Sequence, residues 1–315
     1  MKVLGSFGEE ISRMKVLVTG GCGFIGSHIV DKLIHEKHDV YVVDNLVTGN
    51  IKNVNPKVPI MDCDINSELM EKVIQDFQPE AIIHQAAQVS VAHSINDMLY
   101  DESVNIHGSL KIIDLAKKYN VKKIIFASSA AVYGNPVSLP VGLDHPTNPL
   151  SPYGVSKLSV EYYLKMANET FGINYTILRY ANVYGPRQDA NGEGGVIAIF
   201  SDALAKGNSP TIYGDGEQTR DFIYVEDVAD ANVKALTKGH NQILNVSSGE
   251  EITVNNLFEE MQKAAGTKLT VIYEEERSGD IRKSVLCNKV TKEQLDWNPS
   301  TSLFAGLQNT LNFYK

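Results

Sequence analysis

The chain has 315 residues, 43% hydrophobic and 21% charged, proportions that exclude disorder and leave room for about two domains. Its 29 basic and 38 acidic residues give a formal net charge of −9, which argues against a protein that grips a nucleic-acid backbone. Three scattered cysteines, Cys22, Cys63 and Cys287, match no disulfide framework and no metal-ligand spacing, so the expectation is a reducing, cytoplasmic setting with no metal site.

Residues 1–13 carry Glu9 and Glu10 and lack the apolar stretch of a secretory signal. Met14-Lys15-Val16-Leu17 repeats Met1-Lys2-Val3-Leu4, so the fold is expected to start at Met14, after an N-terminal extension of 1–13. Apolar runs at 16–18, 40–43, 58–61, 81–83 and 123–126 read as strands, with Pro59 marking the third as an edge. Helical spacing fills 25–36, 67–76, 105–119 and 156–170, and 175–178 reads as a further strand. Strand–helix alternation predicts right-handed crossovers and a doubly wound parallel α/β sheet of Rossmann type. From about Arg187, glycine and proline become frequent. The expected division is therefore a dinucleotide-binding domain over 14–186 and a smaller α/β substrate-binding region over 187–315, interleaved with the first. No apolar run reaches the ~18 residues that a membrane-crossing helix needs.

Thr19-Gly20-Gly21-Cys22-Gly23-Phe24-Ile25-Gly26 follows the first strand and opens a helix. Two glycine frames fit, one on Gly20, Gly23 and Gly26, the other on Gly21, Gly23 and Gly26. Either lets backbone approach a pyrophosphate at a helix N-terminus. Asp44 ends the next strand, 18 residues after Gly26. A carboxylate there accepts from ribose hydroxyls and repels a 2′-phosphate. Asn45 follows with no arginine beside it, so NAD is favoured over NADP. Tyr153 and Lys157 form Y-x-x-x-K, which puts both on one helix face. An adjacent ammonium favours the phenolate, and bringing a phenol from ~10 to near 7 takes about 4 kcal/mol. The charge of a nicotinamide supplies part of that. Ser129 follows the strand at 123–126, at the end that faces the ligand crevice in open α/β sheets.

These residues together resemble the extended short-chain dehydrogenase/reductases, specifically their NAD-dependent nucleotide-sugar epimerases and dehydratases. The resemblance runs through His84-Gln85-Ala86-Ala87-Gln88, Val104-Asn105, Ser128 to Gly134, Ser151 to Lys157, Arg179 to Arg187, Gln218 to Val228 and Arg277 to Arg282. It implies NAD contacts from Gly20, Gly23, Phe24, Ile25, Gly26, Asp44, Asn45, Asp64, Ile65, Ala86, Ala87, Gln88, Lys157 and Tyr180. It implies nucleoside-diphosphate contacts from Asn182, Arg220, Arg277 and Asp280, and the rigid guanidinium fork suits the arginines to that task. Dehydratases of the family carry an Asp-Glu pair where this chain has Ala130 and Ala131. The remaining set of Ser129, Tyr153 and Lys157 with NAD is that of a 4-epimerase, and residues 85–91 look most like the UDP-glucose 4-epimerases.

The resemblance thus implies a UDP-sugar substrate, with Tyr153 as base, Ser129 orienting O4, and oxidation and re-reduction at C4. Ser284 aligns with a position that gates the sugar C2 substituent, and its small side chain leaves room for an acetamido group. A surface serine without sugar contact is the alternative. Rival readings are a UDP-glucuronate 4-epimerase, a keto-sugar reductase and a non-catalytic dinucleotide sensor on the same fold. Family members commonly dimerise through the helix bearing the Tyr and Lys and its preceding neighbour. Val160, Tyr163, Leu164 and Ala167 suit either that homodimer contact or the core.

Overall fold

The computed structural model describes residues 13–190, 195–276 and 281–315, so the extension up to residue 12 lies outside it. In chain order the first half runs β1 (Lys15–Thr19), α1 (Phe24–His35), β2 (Asp39–Asp44), β3 (Ile60–Asp62), α2 (Glu68–Phe77), β4 (Ala81–His84), α3 (Val91–Asn96), α4 (Met98–Glu102), α5 (Gly108–Lys118), β5 (Lys123–Ser129), α6 (Pro152–Phe171) and β6 (Asn174–Tyr180). The second half runs β7 (Asn182–Tyr184), α7 (Val196–Ala205), β8 (Thr211–Tyr213), β9 (Thr219–Arg220), β10 (Phe222–Tyr224), α8 (Val225–Lys234), β11 (Gln242–Val246), β12 (Ile252–Thr253), α9 (Val254–Ala265), β13 (Ile272–Glu274), α10 (Lys289–Leu295) and α11 (Leu303–Tyr314).

Seven strands form one sheet in the order β3-β2-β1-β4-β5-β6-β11, all parallel. This is the Rossmann-type sheet, and its order reverses between β1 and β4, the switch point where such sheets bind ligands. Both faces are covered, which explains the unbroken apolar runs in the strands. Val16 and Val18 join Ile29, Leu33, Ile83 and Leu178 on one face. Leu17 joins Met70, Ile82, Ile112, Ile124 and Val160 on the other. The second half contributes to the first of these cores, since Val228 of α8, Leu244 of β11 and Trp297 pack into it. A separate core binds α7, α9 and α11 through Phe200, Leu257, Phe258 and Leu307.

Several boundaries differ from the periodicity, each for a local reason. β3 begins at Ile60, because Pro59 has no N–H to give and enters the ladder only as an acceptor, its carbonyl taking the Val42 amide at 3.0 Å. The helix read over 105–119 starts earlier, with α4 running unbroken through a π turn at Ser103–His107 into α5. The helix expected from Ser156 begins at Pro152. Ser151 accepts from the Gly154 amide at 3.2 Å and Pro152 fills the first turn, where its missing N–H costs nothing. That start puts Tyr153 in the first turn of α6 and Lys157 one turn further in.

Behind that helix lies a buried ion pair. Arg179 of β6 donates through Nε and Nη2 to Glu161 of α6 at 2.9 and 2.6 Å. Ser128 of β5 donates to the same carboxylate at 2.6 Å, and the Arg179 guanidinium lies 4.7 Å from the Tyr133 ring centre. Strand, helix and strand are thus tied one residue behind Ser129 and one residue ahead of Tyr180.

Candidate active site

The turn from β1 into α1 is built for close approach. Gly20 sits at φ +69°, and a Cβ there would lie 2.6 Å from the Ala86 amide nitrogen. A Cβ on Gly26 would lie 2.0 Å from the Gly20 carbonyl oxygen, so α1 can pack this tightly on β1 only with glycine at both positions. Gly21 is confined as well, since a Cβ there would lie 2.8 Å from Val42 Cγ1, so both glycine frames carry close contacts. Gly23 caps α1 without a side chain, and Phe24, Ile25 and Gly26 form the first turn, whose amides have no intrahelical partner. Such a helix start offers amide donors and the positive end of a dipole to an anion.

Asp44 closes β2 beside this turn and is buried. Its carboxylate accepts from the Cys22 amide at 2.8 Å and the Leu46 amide at 2.9 Å, leaving each oxygen a further lone pair for a ribose hydroxyl. Asn45 donates to Asp64 at 3.0 Å, which brings Asp64 and Ile65 after β3 to the same sheet edge. Ala86, Ala87 and Gln88 follow β4, on the other side of the switch point. The Ala86 amide reaches Thr19 Oγ1 at 3.3 Å. The residues present therefore fit a dinucleotide laid across the C-terminal ends of β1, β2 and β4.

Ser129 ends β5 and accepts from the Ala131 amide at 3.2 Å. Tyr153 and Lys157 face it from α6. Lys157 is 3% exposed, and its ammonium donates to the Ala127 carbonyl at 2.9 Å. Burial pulls the Lys157 pKa down to about 8, against the charge of Asp101, which raises it. Burial pushes the Tyr153 phenol up, the Ser129 hydroxyl draws it back, and Asp101 adds to the rise. The net shift is therefore upward here, not the downward one expected from the adjacent Lys157 ammonium together with a nicotinamide. In the protein without ligands, desolvation dominates, and Ser129 supplies the opposing hydrogen bond.

Tyr180 ends β6 with its hydroxyl between Gln85 Nε2 (3.1 Å) and Asn232 of α8, and burial pushes its pKa to about 12. It is a neutral phenol held by the protein. Asn182 opens β7 and donates through its side chain to the Asp221 carbonyl at 3.2 Å. Arg220 of β9 donates to the carbonyls of Thr219 and Ile281 at 2.8 and 2.6 Å. Arg277 and Asp280 lie outside the described residues. Ser284 is half-buried. Its neighbour Val285 accepts from the Val141 amide at 2.8 Å, so its strand segment runs beside the loop that follows Ser129.

Sequence reasoning singled out no role for Asn232, Asp101 or His84. His84 is buried at the end of β4 and touches Thr19 Oγ1 at 2.7 Å and Ser109 Oγ at 2.9 Å. Burial and the Lys157 charge hold its pKa near about 3, so the ring is neutral and ties β1, β4 and α5 together. A histidine at the end of an apolar run was the available signal. For Asn232 there was none, since its partners lie 52 and 147 residues away in sequence.

The sequence profile of the NAD dependent epimerase/dehydratase family matches residues 16–247. A putative UDP-glucose 4-epimerase of Methanocaldococcus jannaschii is 48% identical over 95% of this chain and 98% of its own length. The crystal structure of UDP-glucose 4-epimerase from Thermotoga maritima with UDP-glucose superposes with a TM-score of 0.93 at 44% identity, covering 96% of this chain and 98% of that one. The UDP-N-acetylglucosamine 4-epimerase from Methanobrevibacter ruminantium, in complex with UDP-N-acetylmuramic acid, superposes with a TM-score of 0.92 at 40% identity, covering 96% and 99%.

Replacing Gly26 with alanine tests the fit at the turn. The added Cβ must push α1 away from Gly20, an overpacking that costs about 1–3 kcal/mol or more. The purified variant is expected to melt lower and to release less dinucleotide on acid precipitation. Wild-type melting with full dinucleotide content would show that the close approach is not needed.

Proposed function

The chain belongs to the NAD-dependent epimerase/dehydratase family, and from that premise we propose that it interconverts UDP-glucose and UDP-galactose by transient oxidation at the sugar C4. The observation that carries this reading is the set Ser129, Tyr153 and Lys157 beside Ala130 and Ala131. The set can move a proton on and off O4, and neither alanine can act as the acid or base that loss of water from the sugar requires. The chemistry supplied by bound NAD is reversible hydride transfer at C4.

Gly20, Gly23, Phe24, Ile25 and Gly26 would hold the pyrophosphate, and Asp44, with Asn45, Asp64 and Ile65 beyond it, the adenosine end. Ala86, Ala87, Gln88, Lys157 and Tyr180 would line the nicotinamide end. The Tyr153 phenolate accepts the C4 hydroxyl proton. Ser129 hydrogen-bonds O4 and fixes its direction. Lys157 places a positive charge in a dry site, where it favours the phenolate more strongly than it would in water. Asn182 and Arg220, with Arg277 and Asp280 from outside the described residues, anchor the nucleoside diphosphate while the 4-keto sugar turns over between its two faces. At the end of the cycle Tyr153 would give the proton back to O4, so the chain's own groups end as they began and no net oxidation of a bound NAD would result.

The same reading extends to N-acetylated UDP-hexosamines through Ser284. Its support is the small side chain beside the post-β5 loop and the likeness to a relative named for UDP-N-acetylglucosamine. The chain also pairs with a second copy across α4 and α6. Val160, Leu164 and Ala167 are committed to the core and make no such contact. The outward apolar side chains are instead Met98 and Leu99 on α4 and Val155, Tyr162, Tyr163 and Met166 on α6.

Replacing Tyr153 with phenylalanine is expected to lower kcat by about 10²–10⁴-fold with UDP binding kept, as read by steady-state kinetics and calorimetry. Near-normal turnover would remove Tyr153 from the reaction. Wild-type enzyme is expected to epimerise UDP-N-acetylglucosamine, and Ser284→Tyr to lose about tenfold or more of that activity while keeping plain hexose turnover. Equal losses on both substrates would contradict the gate. In sedimentation, Leu99→Asp with Val155→Asp is expected to convert a dimer into monomer, and an unchanged sedimentation coefficient would place the contact elsewhere.

A further inference from the structure

One buried carboxylate stands against the catalytic helix with no part in the chemistry so far. Asp101 of α4 is 1% exposed. Its Oδ1 accepts from Gln88 Nε2 at 2.8 Å and Asn105 Nδ2 at 3.0 Å. Asn105 lies in the π turn, an irregularity found often at functional sites. Its Oδ1 accepts the Gln88 amide at 2.9 Å, and its Nδ2 also reaches the Gln88 carbonyl at 2.9 Å and Ser156 Oγ at 3.3 Å. Ser156 precedes Lys157, and its hydroxyl donates to the Tyr153 carbonyl at 2.9 Å. One carboxylate thus closes a ring through the loop after β4, the π turn and the first turn of α6.

Both donors to Asp101 are neutral amides, and none of the described ion pairs includes it. A neutral acceptor would serve those donors as well, so the hydrogen bonds alone do not account for a charge kept out of water. Its field is felt at Lys157 and at Tyr153. We propose that Asp101 is a positioning residue for the proton transfer: it holds the Gln88 loop and Asn105 against α6 and supplies the negative charge that keeps Lys157 cationic. This rests on the reading of Ser129, Tyr153 and Lys157 as the reacting set.

The other ionisable groups on the elements packed around this pair are accounted for. His84 on β4 is neutral. Glu161 on α6 and Arg179 on β6 pair with each other, and Tyr180 on β6 is a neutral phenol. His93 on α3, Tyr100 and Glu102 on α4, His107 in the π turn and Tyr162, Tyr163, Lys165 and Glu169 on α6 are less deeply placed than Asp101.

Asp101 raises both pKa values, so removing its charge lowers both. Lys157 then loses its proton at lower pH, and Tyr153 ionises at lower pH. In Asp101→Asn, which keeps an acceptor in place, the acid and alkaline limbs of the kcat/KM profile are expected to move together to lower pH, each by about half a unit or more. Asp101→Glu keeps the charge but displaces its oxygens. It is expected to leave both limbs in place with a lower kcat, and it reads the proposal even if the Asn variant fails to fold. An ultraviolet difference titration against the matching Tyr153→Phe protein reads the phenol midpoint without any substrate. It is expected to fall in Asp101→Asn even if the sugar assignment is wrong. Profiles and titrations that superpose on wild type in Asp101→Asn, or limbs displaced in Asp101→Glu, would overturn the proposal.

Discussion

Lys157 carries an ammonium into the gap between α6 and β5, where the Ala127 carbonyl at 2.9 Å is its hydrogen-bond partner. Desolvation at such a place works against every charge, pulling the lysine down and pushing the neighbouring Tyr153 phenol up. In the proposed reaction, proton transfer to Tyr153 requires the phenolate, so the site would have to offset the very burial that makes its charges effective. The surroundings are arranged for that balance. Ser129 stabilises the phenolate, Asp101 stabilises the ammonium while opposing the phenolate, and the Glu161–Arg179 pair fixes the strand and helix that carry both. The charge of a bound nicotinamide acts in the same direction as Ser129.

The switch point places this balance where a dinucleotide and a sugar can meet. The strands β1, β2 and β4 present the glycine turn, Asp44 and the Ala86 loop at one edge of the crevice, while β5 and β6 bring Ser129 and Tyr180 from the other. The second half of the chain is not an appendage. β11 extends the sheet beside β6, and α8 sends Asn232 to the Tyr180 hydroxyl. Asp221 accepts from the amides of Ser248, Gly249 and Leu286 at 3.0, 3.3 and 3.1 Å. Those bonds set the segment leading from Ser284 against the sheet. The second half therefore shares both sheet and core with the first.

What the sequence disclosed follows from the range of the interactions involved. Strands buried on both faces leave continuous apolar runs, and the glycine turn, Asp44 and Tyr153–Lys157 obey short fixed spacings. These were legible because each is a local constraint. The short α3 and the early start at α4 of the helix that continues into α5 were not, since Ser90 and Asp97 caps rather than an apolar stripe begin them. The π turn was invisible because no residue spacing marks it; Asn105 within it reaches Gln88 and Asp101. Spacing put Val160, Leu164 and Ala167 on the Tyr153–Lys157 helix, and packing alone decided that they face the core. The direction of the Tyr153 shift also lay beyond sequence, because motif spacing says nothing about desolvation.

The central claim is that hydride leaves C4 and returns to the same carbon within one binding event. It is tested most directly by offering UDP-glucose deuterated at C4 to the purified enzyme in ordinary water, without added cofactor. The account predicts UDP-galactose that retains the label at C4. Epimer whose deuterium has been lost to solvent, or no epimer even with NAD supplied, would contradict it.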